Sequence, residues 1–265
     1  MKTLIAAALL LSTTSAYAHN SCNAEVEGGL KIQQDSIQFF DQKEALLYEI
    51  KNDKSLWIDG SAVQLSPAQQ AVVTEYSARI HNVVPEVKMV VIEGLNLASD
   101  GFNMAFNELL GEGNTAADDL NEKLATIRAE VDAKFASDQV IYVNHNGIEG
   151  DNFLGKEFEQ ELQAAVEDTV QKAIGSILVA VGKEMIFSGG DSQAFEKRME
   201  SFGAKVEQEM ESRAELIEAK ADQLCQSFAQ IDNLEEALKE QVQDVSRFDL
   251  FSVTVKQDSH HDDQA

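Results

Sequence analysis

Between residues 195 and 231, Phe195, Met199, Phe202, Val206, Met210, Ala214, Ile217, Ala221, Leu224, Phe228 and Ile231 recur at an average spacing of 3.6 residues. That is the period of a straight α-helix packed in a bundle, not the 3.5 of a supercoiled heptad seam. The pattern predicts a long helix, capped by Asp191 or Ser192 and running to about Gln230, with Asp232 capping one more short helix to Val245. A second helix is signalled by Ser66-Pro67, since Ser caps well and Pro at the first helical position has the right φ and no amide to leave unpaired. Val72, Val73, Tyr76, Ile80 and Val83/Val84 give it one apolar face. Pro85 is expected to kink or divide it, with the pattern resuming over 86–110 and ending at Gly111-Glu112-Gly113. Leu120, Leu124, Ile127 and Val131 stripe a further helix over 115–136, and 153–187 reads as another, closed by Ser188-Gly189-Gly190.

The period changes to strand-like runs ahead of Ser66. Residues 36–40, 45–50 and 56–58 are rich in β-branched, aromatic or large apolar side chains. Asp59-Gly60, between Leu56-Trp57-Ile58 and Ala62-Val63-Gln64-Leu65, marks a hairpin, because that turn needs positive φ. Residues 139–143 read as one isolated strand before an Asn- and Gly-rich loop over 144–152. Phe251, Val253 and Val255 alternate like a final strand. The expected class is α+β, a small N-terminal antiparallel sheet followed by a larger bundle of long helices. Its divisions are a β region over 19–65, a helical body over 66–245 with one strand near 139–143, and a short strand with a frayed acidic tail over 246–265.

Residues 1–18 are expected to be removed on export. Met1-Lys2 supplies the positive end, residues 4–11 the apolar stretch, and Ala16-Tyr17-Ala18 the small-residue cleavage pattern. Eight apolar residues are too few for a span, which needs about 20. Cys22 stands after His19-Asn20-Ser21 rather than at the cut, so no lipid anchor is expected. The chain carries 46 acidic against 21 basic residues, a net charge of −25, and loss of Lys2 makes it one unit more negative. Such a surface repels nucleic-acid phosphates and anionic lipid heads, which argues against either as a partner. With 44% hydrophobic residues the acidity belongs to the surface of a folded protein. Cys22 and Cys225 are the only cysteines, and in an oxidising compartment a bridge between them is the simplest outcome; two buried free thiols are the alternative.

An exported start, Cys22, a strand–Asp59-Gly60–strand hairpin running into Leu65-Ser66, and a helix carrying Gln69-Gln70, Tyr76, Arg79 and Pro85 together resemble the YggN-like periplasmic proteins of gammaproteobacteria. The Ser188-Gly189-Gly190 break and Cys225 in the last long helix match in kind, so the likeness covers most of the mature chain. That family is a domain of unknown function. The resemblance implies a periplasmic location for an exported protein and carries over no catalytic residue.

The candidate chemistry is sparse. Gly111-Glu112-Gly113-Asn114-Thr115-Ala116 fits G-x-G-x-x-A, but it follows a helix where a dinucleotide site requires a strand. His19, His81, His145, His260 and His261 show no metal-ligand spacing. Asn144, Asn146, Glu149, Asp151 and Asn152 group oxygen ligands without the spacing of a twelve-residue calcium loop, and turn formation explains them. No metal and no cofactor is expected. No G-x-S-x-G, His-Glu-x-x-His or Cys–base arrangement occurs. Residues 173–182 are apolar on every side of a helix; close packing is the plain reading, and a groove at Ile174, Ile177 and Val181 for an unknown protein or amphipathic ligand is the functional one. The function expected is therefore non-enzymatic, periplasmic binding or envelope maintenance. The alternative is a carboxylate-dependent hydrolase acting on an envelope substrate. Intact-mass measurement of protein purified from its native compartment is expected to give a chain starting at His19 with no acyl group; retention of residues 1–18, or lipid on Cys22, would show the export reading to be wrong.

Overall fold

A computed structural model describes residues 21–256, apart from 116, 137, 145–146, 150–155 and 188–191. The chain forms β1 (Ser21–Val26), β2 (Gly29–Gln33), β3 (Ser36–Phe40), β4 (Leu46–Lys51), β5 (Ser55–Ile58) and β6 (Ser61–Ala62). Then come α1 (Pro67–Leu110), α2 (Asp118–Lys134), β7 (Ile141–Asn144), β8 (Gly147–Glu149), α3 (Lys156–Phe187) and α4 (Ser192–Gln241). A 3-10 turn, Gln243–Val245, leads to β9 (Phe251–Lys256). The class is α+β, an antiparallel sheet followed by long helices, as the periodicities imply.

The sheet has seven strands in the order β6-β5-β4-β3-β2-β7-β8, all neighbours antiparallel. Alternation decides its inner face: Leu30 and Ile32, Ile37 and Phe39, Tyr48 and Ile50, and Leu56 are buried, while Lys31, Gln38 and Glu49 point the other way. Asp59 and Gly60 have φ of 48° and 73°, and Asn52 and Asp53 φ of 51° and 58°, so two tight turns of the kind that match strand twist join β4, β5 and β6. The strand near 139–143 is not isolated. It is β7, paired with β2 through Leu30↔Val143 and Ile32↔Ile141, and the 144–152 loop contains β8, its hairpin partner. Sequence distance concealed the pairing, because the two strands are separated by both α1 and α2.

The helices also depart from expectation in two places. α1 runs through Pro85 for 44 residues without dividing. Proline removes one amide, but Glu86 beside it is paired with Arg79 at 3.4 Å and accepts from Ser227 of α4 at 2.5 Å, so packing holds the helix across the gap. α4 is likewise continuous for 50 residues. Asp232 does not cap a new helix there; its carboxylate accepts from the backbone amide of Val253 in β9. The start of α1 is held by a reciprocal cap between Ser66 and Gln69, and the Gln69 side chain also donates to the Gln241 carbonyl at 2.6 Å, joining α1's first turn to α4's last. The two helices are antiparallel, with Lys220–Glu93 at 2.6 Å, Arg213–Asp100 and Lys205–Glu108 at 3.5 Å along their length.

The ends of the described residues meet. β1 pairs with β9 in a separate two-stranded ribbon, Val26 opposite Phe251, and Cys22 of β1 is bonded to Cys225 of α4 across 203 positions. At the crossing from β1 into β2, a Cβ on Gly28 would lie 2.0 Å from the Phe40 carbonyl oxygen, so only glycine fits. No helix of the described residues is long and apolar enough to cross a membrane. The acidic tail beyond Lys256 lies outside the described residues. Replacing both Cys22 and Cys225 by Ala is expected to lower unfolding stability by about 3–5 kcal/mol, read by urea titration. A loss below about 1 kcal/mol would show that the bridge constrains little.

Candidate functional site

Because the sheet alternates and α1 turns every 3.6 residues, one face of each can be apolar throughout, and here those faces do not quite meet. Leu30 and Ile32 of β2 and Ile141 and Val143 of β7 look toward Ile80, Val83, Val84 and Val87 on successive turns of α1. Phe228 and Ile231 of α4 close one side, Phe135 at the end of α2 another, and the Val26–Phe251 pair of the β1–β9 ribbon a third. The space between them is a cavity of about 160 Å³ with no polar surface facing it. An apolar space of that size is on the scale of a benzene ligand.

A second, open groove of about 500 Å³ adjoins it. Ile32, Val84, Phe135 and Ile141 line both spaces, so they form the partition. Gln33, Asp53, His81, Asn82 and Gln139 add polar groups to a lining that is mostly apolar. Asp53 is carried there by the tight turn between β4 and β5; its carboxylate accepts from the Ser77 hydroxyl at 2.8 Å and stands 3.3 Å from His81 Nδ1. His81 Nε2 lies 3.0 Å from the Gln33 carbonyl.

Beside the cavity lies the most unusual ionisable group. Glu235 of α4 is 1% exposed. Its Oε2 accepts from the amides of Leu250 and Phe251, at 3.0 and 2.9 Å, and its Oε1 from the Tyr76 hydroxyl at 3.3 Å. Tyr76 is in turn hydrogen-bonded to Tyr48. The two rings flank Phe39 in a stack, with centroids 4.2 and 5.7 Å from it, and Tyr76 meets Phe251 edge-on. Burial raises the Glu235 pKa from 4.5 to about 7, against the opposing pull of the two β9 amides and Lys239. Burial also raises the carboxyl pKa of Asp232, one turn earlier. Both carboxylates are committed to β9 backbone amides, and neither lines the cavity or the groove.

The residues singled out in the apolar stretch of α3 are not gathered at this site. Ile174 is 49% exposed and continues into Leu178, 67% exposed, on the outer face. Ile177 turns inward onto Phe106, Ala117 and Ala173, and the Val181 side chain lies outside the described residues. Of the proposed oxygen-ligand loop, Asn146, Asp151 and Asn152 are also outside them. Among the described residues no three His, Cys, Asp or Glu side chains are grouped to hold a metal. Sequence reasoning missed Glu235 and the cavity. One acid among 46 carries no mark of burial, although Leu234-Glu235-Glu236 on an otherwise apolar stripe is where one would look.

Fold and site together define an α+β protein with an apolar pocket enclosed between a sheet, two antiparallel helices and a disulfide-tied ribbon. The sequence profile of the DUF2884 family, described as protein of unknown function, matches residues 22–251, and the chain belongs to that family. The match runs from the first bridged cysteine to the first residue of β9. No curated protein and no solved structure gave a match.

The sign of the Glu235 effect on stability is fixed by its shift. With the folded pKa near 7 and the unfolded near 4.5, the native state holds a proton that the unfolded state has released. Stability from this group is therefore lost as pH rises through that window. Gln mimics the protonated form. Glu235→Gln is expected to gain about 3 kcal/mol on wild type between pH 4.5 and 8, by urea unfolding at both values. A difference that does not change with pH would show that the carboxyl titrates normally.

Proposed function

We propose that this chain is an exported, non-enzymatic binding protein of the bacterial periplasm, resembling the YggN-like proteins, and that it takes an apolar or amphipathic ligand into the cavity beneath its sheet. The wholly apolar lining of that cavity carries the reading. Protein interiors are packed to crystal density, and an apolar space of about 160 Å³ leaves the side chains around it without partner atoms on one side. A chain that keeps such a void gains from an occupant. The partner classes set aside on charge, nucleic acid and anionic membrane, agree with a small neutral ligand or a protein as the partner. The alternative of a carboxylate-dependent hydrolase needs two carboxylates open to substrate. The two with raised pKa values, Asp232 and Glu235, are occupied by β9 instead.

Thermal unfolding of the full mature chain in benzene-saturated buffer is expected to show a rise in Tm of roughly 2–4 °C for each kcal/mol of binding. Val143→Leu, which adds one methylene to the wall, is expected to raise stability by about 1 kcal/mol and to shrink the benzene effect. An unchanged Tm with benzene, together with destabilisation by the larger side chain, would mean that the space is not a ligand cavity.

A further inference from the structure

The cavity and the groove share Ile32, Val84, Phe135 and Ile141 in their linings. Val84, on α1, is half-buried. One space is wholly apolar; the other adds polar groups to a mostly apolar lining. Ligand sites in proteins have this division, an apolar body with a few convergent polar groups at one end.

The polar end is biased in character. Asp53 presents a carboxylate, and the Gln33 carbonyl bonded by His81 retains a second lone pair. No Lys or Arg lines the groove among the described residues. The Asp53 carboxylate is therefore the fixed charge of the groove lining, in a chain of net charge −25. An anionic head would be repelled both locally and at long range.

From these features we infer that the cavity and the groove form one site for a free single-chain amphiphile, with the hydrocarbon tail in the cavity and a non-anionic polar head beside Asp53 in the groove. This rests on the apolar-ligand reading above and adds the ligand's shape and head chemistry. A benzene-sized space holds a tail of about six carbons. Up to that length each added methylene tightens binding about fourfold.

The test is titration calorimetry on the full mature chain with benzene, 1-hexanol and hexanoate, alongside methyl NMR of Val84 and Ile141. Benzene and 1-hexanol are expected to bind and to shift both methyl groups, with hexanoate at least about tenfold weaker than hexanol. Asp53→Asn suits the left-handed turn, keeps an acceptor for Ser77, and is expected to narrow that selectivity to about threefold. Val84→Phe, filling the partition, is expected to abolish hexanol binding; should it fail to fold, the wild-type methyl shifts carry the same information. Equal affinity for hexanol and hexanoate, selectivity unchanged in Asp53→Asn, or hexanol binding that leaves the Val84 and Ile141 methyls unmoved would each overturn the joint site. Benzene bound without hexanol would overturn it too while leaving the apolar cavity as a binding site. Binding of none of the three would remove both.

Discussion

The two ends of the described chain have to come together on the last third of α4, and most of the architecture follows from how they are held there. The Cys22–Cys225 bond fixes β1 to the helix covalently. Glu235, ten residues further along the same helix, takes the amides of Leu250 and Phe251 and so fixes the start of β9. Asp232 takes the amide of Val253 between them. With both strands anchored to one helix they pair with each other rather than with the large sheet, and the resulting ribbon lays Val26 and Phe251 across the cavity. The buried carboxyl costs stability when charged, but a side chain without its acceptor oxygens would leave two strand amides unpaired in the interior.

The cavity is a product of geometry as much as of composition. A flat row of alternating β2 and β7 side chains faces a helical row on α1, and two surfaces of different curvature touch along a line. Long side chains fill the angle elsewhere: Phe39, Tyr48 and Tyr76 do so next to it as an aromatic stack. Where the contributors are Val83, Val84, Val87 and Val143, the reach is too short and space remains. α3, by contrast, is thinly packed on α1, α2 and α4. Its exposed Ile174 and Leu178 form an outward apolar face on an otherwise acidic surface.

Pro85 links the two themes. It sits in a helix that tertiary contacts keep continuous, through Arg79, Glu86 and Ser227. Pro85 also lines the groove, together with His81 one turn earlier.

Much of the fold was legible in local pattern, because period and capping are properties of short stretches. The apolar stripe of α4, the Ser66-Pro67 start of α1 and the Asp59-Gly60 turn each depend on neighbours within a few residues, and each appears where expected. The bridge between Cys22 and Cys225 was the simplest outcome for the chain's two cysteines, with two buried free thiols as the alternative, and the structure contains it. Helix continuity at Pro85 and at Asp232 was not legible: whether a helix survives a missing amide or a polar side chain depends on what packs against it. Nor was the membership of β7 in the N-terminal sheet, whose partner β2 lies more than a hundred positions away. The site was the least legible of all. A cavity is the volume left between elements that sequence places far apart, and a carboxylate becomes special only when tertiary packing removes its water. Local sequence therefore determined the elements and the covalent tie. Which faces meet, how completely they fill the space between them, and which of 46 acids is buried there were decided only by the tertiary structure, because each depends on long-range contacts that no short stretch of sequence encodes.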